Sequence, residues 1–62
     1  DAIAEYTHAI TLDAHLAPAY YNRALLYLCV EKYDEAEKDL SRAGELGLYK
    51  SYNLLKNSKH KP

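Results

Sequence analysis

DAIAEYTHAITL (residues 1–12) and EAEKDLSRAGEL (residues 35–46) are one pattern written twice. At a spacing of 34 residues, Ala2 lies over Ala36, Ala9 over Ala43, Tyr6 over Leu40, Leu12 over Leu46 and Asp1 over Glu35. A period of that length is one helix–turn–helix unit, which cannot bury its apolar face alone and stacks on copies of itself. The function such an arrangement points to is binding.

Working outward, Ala2, Tyr6, Ala9, Ile10 and Asp13 recur at steps of four, three, one and three, a helical stripe. Asp13-Ala14-His15 is a short polar break, and Pro18 suits the first turn of the next helix, where a missing N–H goes unnoticed. That second helix is expected from about Ala17 to Val30, with the small Ala24 between Tyr20 and Tyr27 on one face. After a turn at Glu31 and Lys32, the stripe Tyr33, Ala36, Leu40, Ala43 predicts a third helix to about Leu46. Asp34 and Glu35 favour the positive end of its dipole, and Gly47 suits its C-terminal cap. A fourth helix is expected from about Leu48, with Tyr52, Leu55 and Lys59 on one side, turning polar and fraying from Asn57 to Pro62. The fold class is therefore all-α: four helices that are marginal alone, joined by two to four residues and antiparallel to their neighbours.

With 62 residues the core must be thin, because a chain of this size buries only about 60% of its unfolded surface. The first residue is Asp, already in mid-helix pattern, so the chain reads as a segment of a longer protein. Seven Tyr with no Phe or Trp favour rings that bury while their hydroxyls stay wet. The single Cys29 cannot form an internal disulfide, which fits a reducing, cytoplasmic setting. No apolar run approaches the roughly 20 residues of a bilayer span, so no membrane role is expected. The net charge of −1 hides an asymmetry: residues 1–49 carry nine acids and four bases, whereas residues 50–62 carry four lysines and no acid. Lysines there complement the end of a last helix, or they contribute to a site for an anionic peptide.

Residues 17–50 resemble one complete unit of the tetratricopeptide repeat family: Tyr20, Ala24 and Tyr27 on the opening helix, then Tyr33, Ala36, Leu40 and Ala43 on the closing one. Residues 1–14 resemble the closing helix of a preceding unit, and residues 51–62 a capping helix with a polar tail. Glu31 and Leu48 stand where that family usually has Gly and Pro, and Leu54 replaces the aromatic that would open another full unit. A left-handed Glu31 would cost roughly 1–2 kcal/mol.

The resemblance implies a fragment of an α-solenoid whose opening helices line a concave groove. Its wall would comprise Tyr21, Asn22, Leu25, Leu28 and Cys29, joined by Tyr52, Leu55, Lys56 and Lys59. The expected partner is a peptide or protein lying in that groove. One subclass of the family clamps the acidic C-terminal tails of cytosolic heat-shock chaperones. Tyr21-Asn22-Arg23-Ala24 resembles its Asn-containing string, and Lys56 falls 34 residues after Asn22, where a clamp cation would stand. An amide and an ammonium converging on a carboxylate give charge-assisted bonds. Tyr52, however, occupies the place of the other clamp cation. A further alternative is self-association, through Ile3, Tyr6 and Ile10 left uncovered on the leading helix.

Other chemistries find little support. His8 and His15 are two helical turns apart, and Cys29 has no partner nearby, so no metal site and no cofactor is expected; Cys29 reads better as a small apolar packing residue. Asp34, Glu35, Glu37 and Asp39 alternate around one helix among lysines and read as solvated surface. With no nucleophile motif or phosphate-cradling loop, the chain is not expected to be an enzyme. A DNA-binding helix–turn–helix would need a basic second helix, but Tyr33 to Leu46 has five acids against two bases, so nucleic acid is not an expected partner.

Overall fold

A computed structural model of the protein describes residues 1–58. Four α-helices follow one another, α1 (Ala2–Leu12), α2 (Ala17–Cys29), α3 (Tyr33–Glu45) and α4 (Ser51–Ser58), with no strand among the described residues. The all-α architecture of helices packed on their chain neighbours is the one expected of a helical-repeat fragment. Lys59 to Pro62, and the side chains of Asn57 and Ser58, lie outside the described residues, and with them the expected fraying.

Each helix begins or ends on identifiable chemistry. The Asp1 carboxylate accepts from the Ala4 N–H at 2.8 Å and caps α1. Pro18 occupies the first turn of α2. Both α2 and α3 stop in the same double hydrogen bond. The Lys32 N–H donates to the Tyr27 carbonyl at 2.8 Å and the Glu31 N–H to Leu28 at 3.1 Å; sixteen residues on, Leu48 donates to Ala43 at 2.9 Å and Gly47 to Gly44 at 3.0 Å. This closure requires a left-handed residue one place beyond the cap. Gly47 supplies it freely at φ 110°, whereas Glu31 supplies it at φ 62° against its own Cβ.

Glu31→Gly should therefore stabilise the chain by about 1 kcal/mol, with part of the relieved strain offset by the greater freedom of glycine in the unfolded chain. Urea unfolding followed by helical circular dichroism reads this directly. A midpoint that fell instead would mean that the Glu31 side chain contributes more than its strained backbone loses.

α1 packs chiefly on α2, α2 and α3 pack chiefly on each other, and α4 packs on α3. Ala24 of α2 and Ala36, Leu40 and Ala43 of α3 are fully buried, with Tyr21, Tyr27, Leu28, Leu54 and Leu55 closing around them. The small side chains let α2 and α3 approach closely, so backbone and Leu40 fill space that larger residues fill elsewhere. As the chain length requires, the core is thin: Leu40 and Ser51 are its largest fully buried side chains.

α4 begins at Ser51, not near Leu48, and the α3–α4 connection is five residues long instead of at most four. Leu48-Tyr49-Lys50 is held as turns, Tyr49 N–H donating to Gly47 and Ser51 N–H to Leu48. The buried Ser51 hydroxyl then lies 2.8 Å from the carbonyls of both Leu40 and Leu48 and donates to one at a time, fixing the start of α4 on α3.

Candidate functional site

Arg23 organises the middle of the molecule. Its Nε and Nη2 donate to the two carboxylate oxygens of Asp39, each at 2.7 Å, and its Nη1 donates to the Thr7 hydroxyl at 3.0 Å. The Thr7 hydroxyl in turn donates a hydrogen bond to the Ile3 carbonyl at 2.8 Å. The guanidinium lies over the rings of Tyr20 and Tyr27, 5.9 and 5.6 Å from their centroids, within cation–π range. One side chain thus joins α1, α2 and α3. Its pKa is raised above the ordinary arginine value, chiefly by the hydrogen bonds to Asp39 and against the opposing effect of burial.

Asp39 is therefore not the solvated surface group its spacing implies. It is 4% exposed, and it is held there because a planar guanidinium matches a carboxylate bidentately. The signal was available in the positions themselves: Arg23 and Asp39 are each eight residues from Glu31, so an antiparallel hairpin turning there brings them face to face. Tyr20 and Arg42, each eleven residues from Glu31, obey the same symmetry. The Arg42 pKa is raised by hydrogen bonding first to Tyr20 and then to Glu45.

The remaining face of α2 holds the expected groove residues. Tyr21 and Asn22 are half-buried, and Leu25 is open to solvent. Lys50 Nζ sits 4.8 Å from the centroid of the Tyr21 ring, a cation at the wall that spacing alone had left unassigned. Leu28 and Leu55 are half-buried against the core cluster, so they offer edges more than open surface. Lys56 is exposed on α4, and Lys59 lies outside the described residues.

Two further expected positions, Tyr52 and Cys29, are both exposed. Tyr52 turns to α3 and lays its ring across Gly44, where an added Cβ would collide with it; the missing side chain of Gly44 leaves a flat seat that an aromatic ring covers well. Cys29 is exposed instead of packed, because α2 ends there and the chain turns away from the core at Val30. Among the described residues no group of three His, Cys, Asp or Glu side chains converges as metal ligands would, and no helix is long and apolar enough to cross a membrane.

The chain is similar to Neutrophil cytosol factor 2. It is 53% identical to the Homo sapiens protein over 38 residues, and 50% identical over the same length to those of Bos taurus and Mus musculus. The matched segment covers 61% of this chain and 7% of each relative. No family model matches the chain, and no solved structure does.

Proposed function

We propose that the chain is a protein-interaction module of the tetratricopeptide type, non-enzymatic, which binds an extended peptide or partner segment along α2 and α4. The observation carrying this reading is the division of labour on α2. Its inner faces are sealed by Ala24, Arg23 and their partners, while Asn22, Leu25 and the Lys50-capped ring of Tyr21 stay accessible. A strip combining an amide, an apolar side chain, an aromatic ring and cations suits a peptide whose backbone and carboxylates both need partners. The name of the similar proteins describes a cytosol factor, which supports a cytoplasmic setting for this chain too.

An acidic C-terminal tail is the ligand chemistry to test first, because Lys50 stands over Tyr21, next to Asn22 in the chain, and the exposed Lys56 falls 34 residues after Asn22, where the resemblance implies a clamp cation. Titration with a short acidic peptide should show binding that weakens with salt. Asn22→Ala and Lys56→Ala should each reduce affinity by about three- to tenfold, within the range of exposed charge-assisted contacts. Amidating the C-terminus of the peptide should do the same. Equal affinity for the free and amidated peptides would reject the acidic-tail ligand, and unchanged binding in both variants would reject this surface.

A further inference from the structure

Two cations of this molecule lie over tyrosine rings, and they differ in what each still has to offer. Arg23, over Tyr20 and Tyr27, already donates from Nε, Nη1 and Nη2 to Asp39 and Thr7, and the Asp39 carboxylate balances its charge. Lys50 is the opposite case. Its Nζ lies 4.8 Å from the centroid of the Tyr21 ring, the residue is exposed, and among the described residues no carboxylate stands within ion-pair distance of it. A ring face attracts an ammonium through its quadrupole without neutralising it. Lys50 therefore keeps its full charge, and with it the donors of its ammonium, for a group arriving from outside.

Both ends of this contact are anchored. Tyr21 is half-buried and packs against the cluster of Ala24, Ala36 and Leu40, which fixes one side of its ring on the core. Lys50 closes the turn before α4, where the Ser51 N–H donates to Leu48 and the buried Ser51 hydroxyl lies 2.8 Å from the Leu40 carbonyl. Only the lysine stem is left to move. Such a stem has much rotamer freedom to lose when a ligand orders it, and a ring that collects the ammonium beforehand removes part of that loss. Asn22, the amide of the proposed surface, follows Tyr21 directly in the chain.

We infer that Tyr21 is a positioning residue of the proposed peptide site: its ring holds the Lys50 ammonium ready for a peptide carboxylate. The inference rests on the peptide-binding reading. It adds that Tyr21 acts through Lys50 and not through a contact of its own with the peptide.

A short acidic peptide with a free C-terminus, titrated against the 62-residue chain, is the probe. Lys50→Ala should weaken its binding about three- to fivefold, within the range of an exposed ion pair. Tyr21→Leu, which keeps an apolar side chain on the core and removes the ring, should weaken it about two- to threefold. Tyr21→Phe should bind as the unaltered chain does, because either ring attracts a cation. In the Lys50→Ala background Tyr21→Leu should cost nothing more. Without peptide, the ring current should move the Lys50 ε-methylene protons upfield in the unaltered chain and in Tyr21→Phe, and Tyr21→Leu should return them to ordinary lysine values.

Losses that simply add would make Tyr21 a direct contact and overturn the inference, as would a Tyr21→Phe chain that binds no better than Tyr21→Leu, the sign of a hydroxyl contact. Ordinary methylene positions in the unaltered chain also overturn it, and they decide the matter if circular dichroism shows that Tyr21→Leu does not fold. No binding by the unaltered chain rejects the peptide site and the role of Tyr21 together. Binding that ignores both Lys50→Ala and Tyr21→Leu rejects the inference alone.

Discussion

Arg23→Ala should remove a large share of this chain's folding stability at room temperature. Removing the guanidinium leaves the Asp39 carboxylate buried without a partner, a change that typically costs about 3–5 kcal/mol. A 62-residue chain at about 0.05–0.15 kcal/mol per residue has only about 3–9 kcal/mol to lose. Asp39→Ala should be as damaging, since it strands the arginine between Tyr20 and Tyr27. The decisive comparison is the pair replaced together by apolar residues of similar volume, Arg23→Met with Asp39→Leu, which should recover most of the loss because neither charge is then buried. Adding the double variant Arg23→Ala with Asp39→Ala closes a cycle with the two alanine variants, and denaturant unfolding of that set gives the coupling. Single variants with near-normal midpoints would mean that the fork contributes orientation and little stability. The sign of the pH effect follows from the raised arginine pKa: the contribution is complete below the unfolded-state value and is lost only as pH climbs through the folded one. Titration of Arg23 therefore leaves stability level from neutrality into strongly alkaline solution.

That network also marks where sequence reading stops. The 34-residue recurrence of Ala2 and Ala9 at Ala36 and Ala43 carries the fold, because small residues at a fixed period leave few ways for helices to pack. Gly47 at the end of α3 was equally legible, since a left-handed position has one inexpensive occupant. Asp39 was legible only by pairing positions across the Glu31 turn, because on its own helix an acid among acids and lysines looks solvated. Tyr52 has a contact that its register does not show: though 43% exposed, its ring also lies across Gly44. Cys29 was read by its type, whereas its exposure is set by the helix end at which it stands. On the binding surface, Asn22 and Leu25 could be placed from the repeat register. Lys50 could not, because its ammonium reaches Tyr21 from a turn whose shape the register does not specify.

Leu40→Ala should be the costliest apolar truncation, about 2–5 kcal/mol, because Leu40 is wholly buried where α2, α3 and α4 meet and neighbouring alanines cannot collapse into the space. Its repeat counterpart, Tyr6, provides an internal control. The two residues hold the same position on α1 and α3, but Tyr6 is only half-buried, because α1 packs chiefly on one helix and α3 on two. If stability in this chain is a sum over neighbouring helices, Tyr6→Ala should cost clearly less than Leu40→Ala, despite removing the larger side chain. Both are measurable from urea midpoints at a common slope, at concentrations low enough for the chain to be monomeric. Equal losses would mean that α1 is covered in solution as fully as α3. A larger loss at Tyr6 would contradict the stacking order of the helices itself, since it would make the end helix, with one chief neighbour, more important to the core than the helix between α2 and α4.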